Sequence, residues 1–171
     1  IYGLIAGAIV AAMMFITMPM YKNGTLNLDN GEFVGYTTMV IAMSMIFFGI
    51  KSYRDNYLNG IITFGKGVKM GLLIAVIASL MYAFAWEVCY SFFYPDFTRK
   101  MTEHYIQKEK AKGATEEELR KTTAEWASFM EMYKNPVIRF GVTLMEILPV
   151  GIAITLLSAG LLRRKQFLPS T

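Results

Sequence analysis

The stretch VKMGLLIAVIASLMYAFAWEVCYSFFY, residues 68–94, decides the fold. Its only charged residues are Lys69 near the start and Glu87. As an α-helix, 27 residues span about 40 Å, more than the ~30 Å hydrocarbon core of a bilayer. In hydrocarbon every backbone N–H and C=O has to pair inside the segment, so a run of this kind is helical. Pro95 ends it by removing a donor and clashing with the preceding turn.

Three more runs of the same character flank it. They cover about 2–20, with Pro19 near the end, about 33–50, and about 137–162, with Pro149 inside. Each has at least about 18 residues, or about 27 Å of helix. Charged residues make up only 18% of the chain and gather in the gaps between the runs, and mean hydropathy is +0.38. The expected fold is an all-α membrane protein with four transmembrane helices, forming one integral domain over 1–171. The first run is too long for a signal-peptide core and no small-x-small cleavage site follows it, so it reads as a retained span. The chain starts at Ile1, and a short N-terminal piece is expected to precede it.

Orientation follows from lysine and arginine in the short connections. Lys51, Arg54, Lys66 and Lys69 lie between spans two and three, and Arg163, Arg164 and Lys165 follow span four. An even number of spans separates the two groups, so they share a side. The 21–32 connection has only Lys22 against Asp29 and Glu32, and the 95–136 segment balances eight basic with eight acidic residues. Both termini are therefore expected in the cytoplasm. The seven clustered basic residues are candidate contacts for anionic lipid. That placement explains the net charge of +4 without nucleic acid.

The 95–136 segment has helical signals of its own. Asp96 after Pro95 reads as a cap for a helix to about Lys112, and Gly113 as its end. Thr115 with Glu118 reads as a capping box for a second helix ending before Asn135-Pro136. Phe97, Met101 and Tyr105 recur at helical spacing, as do Leu119, Trp126, Met130 and Tyr133. An extracytoplasmic αα-hairpin over about 96–135 is expected between spans three and four.

Chemistry is sought first at Glu87 and Glu146, carboxylates about 12 and 15 Å inside their helices from the outer end. An ionised group at mid-bilayer costs at least ~2.5–3.5 kcal/mol, so it is paired, protonated or wetted. Arg139 lies seven residues before Glu146, on the same helix face. Tyr82, Trp86 and Tyr90 form an aromatic stripe beside Glu87. These six residues read either as a proton- or cation-handling polar pocket, or as a Glu–Arg or Glu–Tyr network that sets helix register. The aromatic stripe reads mainly as packing and interfacial belt. Gly67, Gly71, Ala75, Ser79 and Ala83, four apart, form a ridge for close helix packing. Gly3, Gly7 and Ala11 do the same in span one, and Gly151, Thr155 and Ala159 in span four.

Other chemistries find little support. Cys89 is the one cysteine and His104 the one histidine, so no disulfide and no zinc pattern is available within the chain. The 13 methionines are too loosely placed for a copper site. Phe64-Gly65-Lys66-Gly67 lacks the spacing of a phosphate-binding loop. No catalytic residue, metal or cofactor is expected.

Five segments carry a resemblance. They are Phe48–Asp55, Phe64-Gly65-Lys66, Tyr94-Pro95-Asp96-Phe97, Tyr133-Lys134-Asn135-Pro136 and Glu146–Gly151. Together they resemble a family of small bacterial membrane proteins known as a domain of unknown function, DUF4199. The resemblance covers nearly the whole chain. It implies a four-span protein of the inner membrane in an envelope-bearing bacterium, and no activity. Arg139 departs from what the family leads one to expect there.

Three functions remain open. The first is a non-enzymatic binding or assembly module, with the bilayer and a second copy or another envelope protein as partners. The second is a small oligomeric transporter or channel using Glu87 and Glu146. The third is a lipid-acting membrane enzyme with a carboxylate as acid or base.

Overall fold

The computed structural model describes residues 1–93 and 96–163, with the side chains of Lys22, Leu28, Asp29 and Phe93 excepted. The expected end of span three at Tyr94-Pro95, and Arg164 and Lys165, lie outside the described residues. Among those described, all regular structure is helical: α1 Tyr2–Lys22, α2 Leu28–Met43, α3 Met45–Tyr57, α4 Phe64–Phe93, α5 Phe97–Ala111, α6 Glu116–Tyr133 and α7 Pro136–Leu162. Four segments are long and apolar enough to cross a membrane: Tyr2–Tyr21, Asn30–Tyr57, Phe64–Phe92 and Pro136–Leu162.

Local chemistry explains most boundaries. Pro136 occupies the first turn of α7, where its missing N–H costs nothing, and Asn135 caps that helix by accepting from Val137 N at 2.9 Å. Asn27 caps α2 by accepting from Asn30 N at 2.8 Å. Helix therefore begins at Leu28, five residues before the expected start of span two. That span also departs from expectation in being two helices. At Ser44 the backbone N–H is shared between Val40 O at 3.0 Å and Ile41 O at 3.2 Å, and the hydroxyl donates to Ile41 O at 2.6 Å. A serine competing for a backbone carbonyl tightens the turn and divides α2 from α3. Beyond the joint, α3 continues to Tyr57 rather than ending at Ile50.

The central helix is α4, which packs on α1, α3 and α7. All five residues of its small ridge are buried. The ridge meets the small positions of α7: Gly67 against Ala159, Gly71 against Thr155, Ala75 against Gly151. A Cβ on Gly71 would lie 2.6 Å from Thr155 Cγ2. With the ridge covered inside one chain, it offers no surface to a second copy. Gly71→Leu is expected to cost about 1–3 kcal/mol through overpacking, read as a lower unfolding midpoint in detergent. Gly141, whose added Cβ would meet nothing within 4 Å, should tolerate the same change.

The segment between α4 and α7 holds α5 and α6, which pack on each other with Tyr105 stacked on Trp126 at 3.9 Å. Gly113, at φ +82°, follows α5, where a left-handed residue is needed. Asp96 precedes α5, but its side chain makes no capping bond and instead lies 3.8 Å from Arg99. The Thr115–Glu118 capping box is complete: Thr115 N donates to Glu118 Oε2 at 2.8 Å and Glu118 N to Thr115 Oγ1 at 3.3 Å.

The Thr115 backbone N–H, then its hydroxyl, hold the Glu118 carboxyl below the usual carboxylate range. A carboxyl depressed by folding stabilises above its unfolded pKa of about 4.3 and loses that contribution as pH falls through the folded value. Hydrogen exchange at the bonded amides of Thr115, Glu118 and Leu119, corrected for intrinsic rate, should therefore show fraying on acidification below pH ~4. Thr115→Ala should show the same fraying at neutral pH.

Candidate functional site

The intramembrane polar residues separate into two groups. The first is sealed. Arg139, 4% exposed, donates from Nε to Glu87 Oε1 at 2.9 Å and from Nη2 to Glu87 Oε2. Its Nη1 donates to Tyr133 O and Lys134 O, both at 3.2 Å. Those are carbonyls at the end of α6, which lack helical partners. The guanidinium also lies 3.8 Å from the Tyr90 ring centroid. One arginine on α7 thus ties α4 to the end of α6. Its partner is Glu87, on another helix, and not Glu146, on its own.

Aromatic rings surround this junction. Trp86 Nε1 donates to Tyr133 Oη at 2.8 Å, and Phe97 packs on Trp86, Tyr90 and Tyr133. Burial pushes the Tyr133 phenol up to about 12, so it stays neutral and can accept the indole N–H.

The second group lines a cavity of about 1180 Å³ bounded by α1, α2, α4, α5, α6 and α7. Glu146 is on its wall, with no hydrogen bond or ion pair among the described residues. Tyr82 and Trp86 join it there; Glu87 and Tyr90 do not. Glu32 of α2 lines the same cavity, close enough for the two charges to interact. Tyr105 donates to Glu32 Oε1 at 3.3 Å, and burial together with that carboxylate raises the Tyr105 phenol.

Glu32 is the site residue that sequence reasoning missed. A span two that starts at residue 33 leaves Glu32 in the connection before it. The Asn27 cap, visible in the sequence, would have placed Glu32 inside a helix. Glu87 is paired with Arg139, whereas Glu146 lines the cavity.

The basic residues separate as well. Lys66, Lys69 and Arg163 are exposed, and Lys51 is half-exposed beside Asp55 at 2.7 Å. Arg54 is buried at 1% exposure, donating to Asp55 Oδ1 at 2.6 Å and to Leu162 O at 3.4 Å. It faces the protein interior rather than a lipid headgroup. Arg163 lies over the Phe64 ring at 5.9 Å. Cys89 is buried, and no group of three His, Cys, Asp or Glu able to hold a metal ion occurs among the described residues.

Comparison with known proteins returns one family. Residues 1–164 match the model described as "Protein of unknown function (DUF4199)". No curated protein and no solved structure matches the chain.

Proposed function

We propose, from the premise that this chain belongs to the DUF4199 family, that it is a non-enzymatic binding module of the bacterial inner membrane. Both termini lie in the cytoplasm and the α5–α6 pair forms a hairpin outside. Lys51, Lys66, Lys69 and Arg163 support that orientation, being gathered at the ends of the spans away from α5 and α6. Lys66, Lys69 and Arg163 are the residues placed to meet anionic lipid.

The observation that carries the reading is the cavity. Its volume, about 1180 Å³, is of the size that encloses a small molecule, and its wall combines span residues with residues of α5 and α6. Binding is read by native mass spectrometry of the full chain purified from membranes. Wild type is expected to keep a non-covalent adduct that Thr38→Trp, which puts an indole into the cavity, loses without a lower unfolding midpoint. The same adducts in both proteins, or none in either, would overturn it.

A transporter is the second reading, favoured by Glu146, which is unpaired among the described residues. Flux in proteoliposomes would fall with Glu146→Gln. Glu87, held at both oxygens by Arg139, has no such freedom.

A further inference from the structure

We infer that the cavity takes an organic cation, an ammonium-type charge on an apolar or aromatic body, seated between the carboxylates of Glu32 and Glu146. The inference rests on the binding reading above and names its ligand class.

Charge is the first argument. Glu32, Asp96, Glu103 and Glu146 line the cavity against one lysine, Lys100. Asp96 and Glu103 already face Arg99 at 3.8 and 2.9 Å, and Lys100 is exposed on the same rim helix. That leaves the inner pair. Among the described residues, Glu32 has only a neutral phenol as partner and Glu146 has none. Glu146 lies within a membrane-spanning helix, where a carboxylate is costly without a counter-charge, and a second carboxylate lining the same cavity adds repulsion. A cation entering between them relieves both terms at once.

The walls decide which cation. A bare divalent ion needs six to eight oxygens at about 2.0–2.6 Å, and no third acidic, His or Cys group joins this pair among the described residues. The volume also far exceeds that of an ion. What the walls do supply is aromatic rings, from Tyr82, Trp86 and the stacked Tyr105–Trp126 pair. Such rings attract soft organic cations, with Trp the strongest. The methionines 13, 14 and 39 complete an adaptable apolar lining.

Both tryptophans of the chain, Trp86 and Trp126, are in that wall, so intrinsic fluorescence reports occupancy directly. The full chain in dodecyl maltoside is titrated with tetraphenylphosphonium. Saturable quenching is expected, weakened tenfold or more by Glu146→Gln and by Glu32→Gln, and unchanged by Glu125→Gln on the exposed face of α6. Absence of saturable quenching, or wild-type affinity in Glu146→Gln, would overturn the inference.

Tetraphenylborate, an anion of the same shape, serves as a test that needs no variant. Affinity at least ten times weaker than for the phosphonium supports the inference, and equal or tighter binding overturns it. Borate binding abolished by Thr38→Trp would sink the cation class while leaving the binding reading intact. If neither ion binds and native adducts are also absent, both fall. Competition identifies the source of the ammonium group. Displacement by dihexanoyl phosphatidylethanolamine but not by dihexanoyl phosphatidylglycerol assigns a lipid headgroup. Displacement by neither assigns a free cation. Equal displacement by both means that the cavity reads acyl chains rather than charge, and counts against the inference.

Discussion

Arg139→Met is expected to cost about 3–5 kcal/mol of stability, the usual consequence of removing one partner from a buried ion pair. Three separate losses act together. Glu87, with only 21% of its side chain exposed, loses its counter-ion. The Tyr133 and Lys134 carbonyls lose their donor at the end of α6. The Tyr90 ring loses a guanidinium packed at 3.8 Å. Arg139→Lys should recover only part, because an ammonium cannot bind both oxygens of Glu87 in parallel while also reaching two carbonyls. Pairing Arg139→Met with Glu87→Leu should be milder than Arg139→Met alone, since the stranded charge is then gone too. Equilibrium unfolding in detergent measures all of these. A single variant within about 1 kcal/mol of wild type would mean that the pair is not closed in the folded protein. Hydrogen exchange adds a local readout, with faster exchange at the end of α6 than at its capped start.

The second large effect belongs to the opposite end of the bundle. Arg54→Met should cost about 3 kcal/mol or more by the same rule, leaving Asp55 with Lys51 alone and Leu162 O without its donor. The contrast with its basic neighbours is the useful part. Neutralising Lys66 and Lys69 together should weaken association with anionic lipid and leave the unfolding midpoint within a degree or two. Arg54→Met should do the reverse. Lipid association is read by native mass spectrometry with phosphatidylglycerol, and stability by thermal unfolding. Were Arg54→Met to lower lipid association as much as the double lysine variant with no change in midpoint, the interior placement of Arg54 would be wrong.

These two arginines also show where sequence reading stops. Both were visible as charges at or inside a span, and neither could be assigned a partner. Arg139 sits on the same helix face as Glu146 by spacing, yet its guanidinium reaches across to α4. Arg54 looked like one more member of a basic cluster. Nothing in its local sequence distinguishes it from Lys66 or Lys69, because its burial depends on α7 ending beside it at Leu162. The small ridge of α4 was legible as a packing surface, but its partner was not. That partner is another small stretch, Gly151, Thr155 and Ala159, already apparent in span four. The joint at Ser44 passed unnoticed for a different reason. A lone serine inside an apolar run has the same composition whether it bonds back to a carbonyl or faces a neighbour.

What the sequence determined by itself is the number of long apolar helices, the capping box at Thr115, the left-handed turn at Gly113 and the proline start of α7. Each depends on groups within a few residues of one another, or on a run of side chains that prefers hydrocarbon to water whatever surrounds it. Tertiary structure alone decided that Glu87 is paired with Arg139 while Glu146 lines a cavity together with Glu32. A side chain's partner depends on how each helix is rotated about its axis and which helices become neighbours. Those choices are set by the sum of many interhelical contacts, none of which is encoded at the position of the carboxylate itself.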